Sequence, residues 1–450
     1  MIFFVRKLVL AVFVLALFAT DLFSQHKSLG EAYWEAEWVK EQQKNDIANG
    51  KAGTIHWSRA ERSEVILQAD DYVESLERQK AFLHDPDLDA YLQEQLSIVH
   101  AGAPNPKLGI NLQVKVLISH ELNAFALGNG TIVLTTGIFD ALRSEGELQS
   151  VLIHELSHIY LDHHVHNFKA LRRKANWAKV LSVAASAATV AVVAANDDDR
   201  DYSVWDLVVI GHVTHDFTYA LSSVILEGLY IKHSKKQEYE ADALTKASLV
   251  ELGVDPQDFP NILGRVYDYQ RQRYLSNEKG AWADYRQVND RLGKLKMSYQ
   301  KDAPFSASFD VNTLNAHLFN MRSDLVEGRY SRCLELIGRI EGTGFASEGL
   351  MVAKARSALA IAATPEEKLA SIRWYDKAER LAPEEHLIWI QKEKVTELFA
   401  IKEYSKAQEA LPKLRRLAGR HEWAFQSSRL EFENWLNEME FKVGFFLGKS

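Results

Sequence analysis

The chain has 450 residues, of which 47% are hydrophobic and 25% charged, with a net charge of −8; this is the profile of an ordinary globular protein of two or three domains. The acidic balance excludes the basic footprint that a nucleic-acid surface needs, so no nucleic-acid partner is expected. The one cysteine, Cys333, excludes an intramolecular disulfide and leaves the redox compartment undefined.

In chain order, residues 1–24 combine Arg6 and Lys7 with an apolar run from Leu8 to Phe18, followed by Ala19 and Ser24. The run is short for a bilayer span and suits the apolar core of a signal peptide. A cleaved export signal is therefore predicted, cut after Ala19 or Ser24, with an uncleaved anchor as the alternative; no cysteine follows it to carry a lipid. Export puts the mature chain in the periplasm. Residues 30 to 100 read as mostly helical, with turns at Asp85-Pro86 and Ala103-Pro104-Asn105-Pro106. Leu112 to Ser119 and Thr131 to Thr135 read as strands, with Gly128-Asn129-Gly130 turning between them.

The stretch Val151 to Ile159 organises the chain around it. Leu148, Leu152, Leu156 and Ile159 recur at helical spacing, which predicts an amphipathic helix with one buried stripe. His154 and His158, four apart, share a face and can reach one metal ion, while Glu155 can reach a water on that ion. A catalytic zinc needs a third protein ligand and an open position. His164 is one candidate, at the place where the metzincin pattern has its last histidine. That pattern turns back at a glycine, and here Leu161 stands there; on a helix that continues, His164 would lie roughly 15 Å along the axis from His154. Glu238 is the better candidate. It shares a helix face with Asp242, so Glu238 can bind metal while Asp242 accepts the free ring N–H of a ligand histidine. Glu240 points about 200° away from Glu238. The expectation is one zinc per chain on His154, His158 and Glu238, with Asp242 behind them and Glu155 as general base on a zinc-bound water.

At these residues the chain resembles a known family. His-Glu-x-x-His followed by Glu-x-x-x-Asp is similar to the gluzincin-type zinc metallopeptidases that include HtpX and the CAAX-processing endopeptidases. Asn123 to Gly137 is similar to that family's strand-and-turn segment before the active helix, and Gly253-Val254-Asp255-Pro256 to its turn after the second helix. The resemblance covers roughly residues 60 to 300. It implies that the Thr131–Thr135 strand borders the zinc cleft and pairs with the backbone of extended polypeptide, with Asn123, Ala124 and Phe125 in substrate binding. Further on the family has a His-Pro pair before an arginine. Arg291 fits the arginine, but Tyr285 stands where the histidine would be and no proline follows. Tyr285 could donate a hydrogen bond to the oxyanion, or be a packed helix aromatic.

Between the two metal helices, Val180 to Ala195 and Tyr219 to Ile231 are apolar and flank the charged run Asn196 to Asp201. Sixteen helical residues span about 24 Å, short of a ~30 Å hydrocarbon core. In HtpX the matching region looks membrane-embedded; here a helical hairpin is expected, packed over the cleft or making a peripheral membrane contact, against a plain buried core. His163, His166, His212, His215 and His233 read as structural histidines.

From about Asn312 onward the pattern is helical. Cys333, Ala370 and Ala407 stand thirty-seven residues apart, each followed four residues later by a large apolar residue: Ile337, Trp374 and Leu411. Small-then-large on one face is how tetratricopeptide-like helix pairs nest, and Leu381-Ala382-Pro383 is similar to that repeat's closing turn. Cys333 then reads as a small packed residue, not a nucleophile. The predicted fold is mainly α with a small β-sheet: a signal peptide at 1–24, a gluzincin-type metallopeptidase domain at 25–305 and a helical tetratricopeptide-like domain at 306–450. The predicted activity is exported, zinc-dependent endopeptidase action on misfolded or unassembled envelope proteins, with the C-terminal repeats meeting an envelope partner. The alternative is a chaperone or assembly scaffold whose metal site is latent or structural.

Overall fold

A computed structural model describes residues 59–102, 111–164, 233–275, 281–296, 298–300, 303–423 and 425–448. The expected signal at 1–24 and hairpin at 180–231 lie outside the described residues, as do His166, His212 and His215. The chain is mainly helical with one small sheet, as its sequence predicts, and divides between Thr313 and Leu314 into two compact units.

The first unit opens with α1 (Arg59–Arg78) and α2 (Pro86–Ala101). Asp85 caps α2 by accepting from Leu88 N–H, and Pro86 supplies a first helical position that needs no donor. The sheet comes next: β1 (Gln113–Leu117), β2 (Ala124–Ala126) and β3 (Thr131–Thr135), in the order β1-β3-β2. β3 is buried along its whole length, and runs parallel to β1 and antiparallel to β2.

This differs from the sequence reading in two ways. The Gly128-Asn129-Gly130 turn joins β3 to a third, short strand rather than to the 112–119 strand. And β3 is hydrogen-bonded on both sides, so it has no edge to offer a substrate; the expected pairing on Thr131–Thr135 is excluded by its neighbours. The outer side of β1 is covered as well, because Leu83 N–H donates to Val116 O at 2.8 Å and Ile118 N–H to Ala81 O at 2.9 Å. Among the described strands, the open edge belongs to β2.

Alternation sorts the sheet's two faces. Phe125, Leu127 and Val133 join Ala69, Tyr72, Val73 and Leu76 of α1 in one apolar cluster. Their neighbours Ala124, Ala126, Ile132 and Leu134 therefore face the other way, toward α4 (Glu145–Tyr160), which packs on β2 and β3. Between sheet and α4 lies the short α3 (Thr136–Ala141).

α4 is the hub of this unit. Ser144 caps it, accepting from Glu147 N–H, and every residue from Glu147 to Ile159 is buried. The predicted single apolar stripe is thus too narrow a description: α4 packs against α2, β2, β3 and two later helices, α5 (Lys235–Leu252) and α6 (Asp258–Leu275). A helix covered on all sides needs its polar residues satisfied internally. Glu147 does this by ion-pairing with buried Arg265 and accepting from Arg143 N–H at 2.8 Å. α5 begins with a capping box between Ser234 and Gln237 and ends at Gly253, whose φ of 70° is the left-handed conformation that glycine adopts without cost. α7 (Ala281–Leu295) and α8 (Ala307–Asn312) complete the unit.

The second unit has seven helices among its described residues: α9 (Leu314–Val326), α10 (Tyr330–Gly342), α11 (Glu348–Ile361), α12 (Pro365–Leu381), α13 (Glu384–Ala400), α14 (Tyr404–Arg420) and α15 (Gln426–Phe446). Each packs on the next, and one continuous apolar core runs from Met321 to Val443. Of the small-then-large pairs, Cys333 with Ile337 and Ala407 with Leu411 are buried. The expected pair in α12 is displaced by one residue. Ala370 is exposed, Trp374 is half-buried under the cations of Lys354, Arg373 and Lys377, and the inward pair is instead Ser371 and Tyr375. Trp374 packs at the edge of the apolar core with these cations over its ring, while Tyr375 lies inside, where its hydroxyl donates to Glu393 at 2.8 Å.

Candidate metal centre

α4 and α5 pack side by side, and this brings the predicted ligand residues together. His154 Nε2 lies 3.2 Å from His158 Nε2 and 3.5 Å from Glu238 Oε2; His158 Nε2 lies 4.0 Å from Glu238 Oε1. Tetrahedral zinc with bonds near 2.0–2.1 Å needs donor atoms about 3.3 Å apart. Three buried donors, two imidazoles and one carboxylate, converge at that spacing, so the residues fit the ion. Asp242 Oδ1 stands 3.3 Å from His154 Nδ1 on the far side of that ring, where it can fix the tautomer that leaves Nε2 free for metal. Phe259 stacks on the His154 ring at 5.4 Å.

Glu155 is buried, 7% exposed, and faces β2. Asn123 O accepts from Thr135 N–H at 3.1 Å and Leu127 N–H donates to Thr131 O at 2.8 Å. In an antiparallel pair these bonds alternate, so the N–H and C=O groups of Ala124 and Ala126 point away from β3. The Ala126 N–H donates to the Glu155 carboxylate. Of the three residues named for substrate binding, Ala124 presents its backbone to the open edge. Asn123 is committed to β3 through its backbone, and the Phe125 ring packs toward α1.

Burial sets the electrostatics. It pushes the Glu155 carboxyl up to about 7, against the opposing charge of His154 and with the repulsion of Glu238. Burial, then the neighbouring imidazoles, holds His158 well below the usual histidine value, and burial lowers His233 to about 4. These rings are neutral at pH 7, the form that binds metal. Burial alone would raise Glu238, but Arg291 and His154 outweigh it and hold its carboxyl down at about 2.

Arg291 reaches in from α7. Its Nη1 is 3.0 Å from Glu238 Oε2, and its Nη2 is 2.6 Å from Asp242 Oδ1 and 3.2 Å from His154 Nε2. The sequence marks Arg291 only as a match to the family's arginine; nothing in its spacing shows that it would touch both acidic residues. Tyr285 lies on the same helix, with its side chain outside the described residues.

Two histidines read as structural from sequence also crowd the centre. α4 ends at Tyr160, Leu161 N–H closes on Ser157 O, and Asp162 takes a left-handed φ of 56°. The chain therefore folds back instead of continuing. His163 lies against His158, His164 is buried nearby, and His233 stacks on His158 with ring centres 3.8 Å apart. Glu240 does point away from the ion site and meets His163 instead.

The centre opens into a cavity of about 180 Å³ lined by Ala124, Ala126, Ile138, Val151, Phe259 and Leu263. An apolar cavity of about 150 Å³ holds a benzene, so this one admits one or two side chains of an extended chain and no folded element.

Comparison with known proteins agrees with the chemistry of this donor set. A model of peptidase family M48 matches residues 83–310. The putative beta-barrel assembly-enhancing protease of Vibrio cholerae is 23% identical over 222 residues, which cover 49% of this chain and 41% of that protein. The beta-barrel assembly-enhancing protease of Escherichia coli K12 is 26% identical over 289 residues, 61% of this chain and 54% of its own length. The mitochondrial metalloendopeptidase OMA1 of Arabidopsis thaliana is 26% identical over 171 residues, 37% and 29% respectively. The chain spans about half the length of the beta-barrel assembly-enhancing proteases it matches.

Proposed function

The chain belongs to peptidase family M48, and from that premise we propose that it is a zinc-dependent endopeptidase of the bacterial envelope that cleaves misfolded or unassembled polypeptide. The observation that carries this reading is the convergence of His154 Nε2, His158 Nε2 and Glu238 within 3.2 to 4.0 Å, beside a buried glutamate and an open strand edge. When bound there, zinc lowers the pKa of a water ligand toward ~7 and polarises the scissile carbonyl.

The chain's own groups do the rest. Asp242 holds the His154 ring in the tautomer that faces the ion. Glu155 takes a proton from the attacking water on its carboxylate and delivers it to the leaving amine nitrogen; a carboxyl near 7 is poised for both transfers at neutral pH. The hydrogen bond from Ala126 N–H keeps that carboxylate aimed at the cleft. An extended substrate lies along β2, using the outward N–H and C=O of Ala124 and the C=O of Ala126, and sends an apolar side chain into the adjoining cavity. Closed sheets present no free strand to β2, which suits the site to unfolded chains. The helical second unit serves as the platform for an envelope partner, and residues 1–24 direct export. No helix among the described residues is long and apolar enough to cross a membrane.

The test is Glu155→Gln. The variant should keep one zinc per chain and lose cleavage of an unfolded protein by at least about 10²-fold; cleavage at the parent rate sinks the mechanism. A second reading, a scaffold with a latent metal site, is favoured by one observation: Arg291 bonds to Glu238 and approaches His154 Nε2, competing for the ligand atoms. A purified parent without zinc would select it.

A further inference from the structure

His158 has two ring nitrogens with different surroundings. Nε2 faces His154 and Glu238, the ion-binding side. Nδ1 lies 2.9 Å from Nδ1 of His163, which is 2% exposed. Two imidazole nitrogens at that distance share one proton: one donates and the other accepts. The second nitrogen of His163, Nε2, is 3.3 Å from Glu240 Oε2. A carboxylate accepts, so Nε2 of His163 carries the proton and its Nδ1 is the bare acceptor. That leaves His158 Nδ1 as the donor, and its Nε2 lone pair free for metal.

We infer that His163, oriented by Glu240, is a positioning residue that fixes the tautomer and ring angle of the metal ligand His158. It does for the second histidine of the motif what Asp242 does for the first. This rests on the zinc reading above, and the geometry that builds it is independent of that reading. The helix must stop at Tyr160 and turn through Asp162 at a φ of 56° for His163 to come back against His158. Gln237 then ties the turn to α5 by donating from Nε2 to His163 O at 3.4 Å. A chain continuing as helix would carry position 163 away from His158. Glu240, half-exposed and beside Lys236, has no role in holding the ion directly, and orienting His163 accounts for its place on α5.

The experiment is a zinc competition titration with a chromophoric chelator on the full chain, paired with the visible spectrum of the cobalt-substituted protein. His163→Leu removes the acceptor and should weaken zinc binding about 10- to 100-fold and shift the cobalt bands. His163→Asn puts a side-chain oxygen where Nδ1 stood and should restore affinity to within about threefold of the parent. A purely structural role would not distinguish these two replacements. Parent-like affinity and an unchanged spectrum in His163→Leu overturn the inference, as does an equal loss in both variants. Should His163→Leu fail to fold by circular dichroism, Glu240→Ala decides: a several-fold loss of affinity with altered cobalt bands supports the relay, and an unchanged titration overturns it. A parent that takes up no zinc instead removes the metallopeptidase reading itself.

Discussion

Gly137 tests whether the cleft is built as described, because one methyl group there strikes backbone alone. Its N–H donates to Ser119 O at 2.8 Å, so the segment 119–121 lies directly on the start of α3. A Cβ at 137 would sit 2.5 Å from His120 O and 2.6 Å from Glu121 O. Ordinary contact at such atoms is about 3.4 Å, so the segment must retreat by somewhat under 1 Å. Overpacking of that kind costs about 1–3 kcal/mol, and the gain in helix propensity from glycine to alanine returns at most about 1. Gly137→Ala should therefore destabilise by about 1–2 kcal/mol. The displaced segment leads straight into Asn123 and β2, so the edge strand moves against Glu155. Misplacement on the order of 1 Å can cost 10²-fold in rate, and kcat/KM should fall about 10- to 100-fold with zinc content unchanged. Gly338, inside α10, has nothing within 4 Å of its added Cβ; there the same substitution should stabilise by roughly 0.5–1 kcal/mol. Urea titrations of both variants and the parent, followed by circular dichroism, give the comparison. If Gly137→Ala unfolds at or above the parent midpoint, the close approach of 119–121 is not real and the reasoning fails.

Activity should depend on pH through Glu155. Its carboxyl sits at about 7, raised chiefly by burial, so the base form is lost as pH falls through 7 and kcat/KM should drop about tenfold per unit below it; a profile flat from pH 5 to 8 contradicts this. Asp258 bears on stability instead. Burial, then the charges of Glu147 and Asp255, raises it to about 6, above an unfolded value of about 3.9. The folded state thus holds this proton more tightly, and stability falls as pH rises from about 4 to 6 and stays reduced above. Asp258→Asn should gain on the order of 1 kcal/mol at pH 8, after allowance for its half-exposure, and nearly nothing at pH 4. Equal gains in urea titrations at both pH values would refute it.

The features legible in the sequence are the periodic ones. Four-residue spacing on a helix put His154 with His158 and Glu238 with Asp242, and apolar periodicity with turn signals gave a mainly helical chain with a small sheet. The features that escaped it depend on distant contacts. β2 is three residues long, too short to alternate visibly, yet it holds the open edge that was assigned to β3. Burial on every face of α4 comes from α2, α5, α6 and the sheet, none of which leaves a mark on the spacing of leucines. The fold-back at Asp162 turns on one residue adopting a left-handed φ that aspartate only tolerates. Arg291 and His233 reach the centre by tertiary packing, and in α12 Tyr375 in place of Trp374 is the fully buried residue, a one-position difference that the small-then-large spacing does not reveal.

The brevity of β2 limits what the cleft can recognise. A partner laid along it is gripped over about 10 Å, by amides that every residue carries, next to two methyl side chains that ask for nothing in particular. On the proposed reading such a handhold answers to backbone availability instead of residue identity, so an extended segment with unpaired amides fits it whatever its sequence. Under that proposal, preference for unpaired chain follows from a strand too short to spell a sequence.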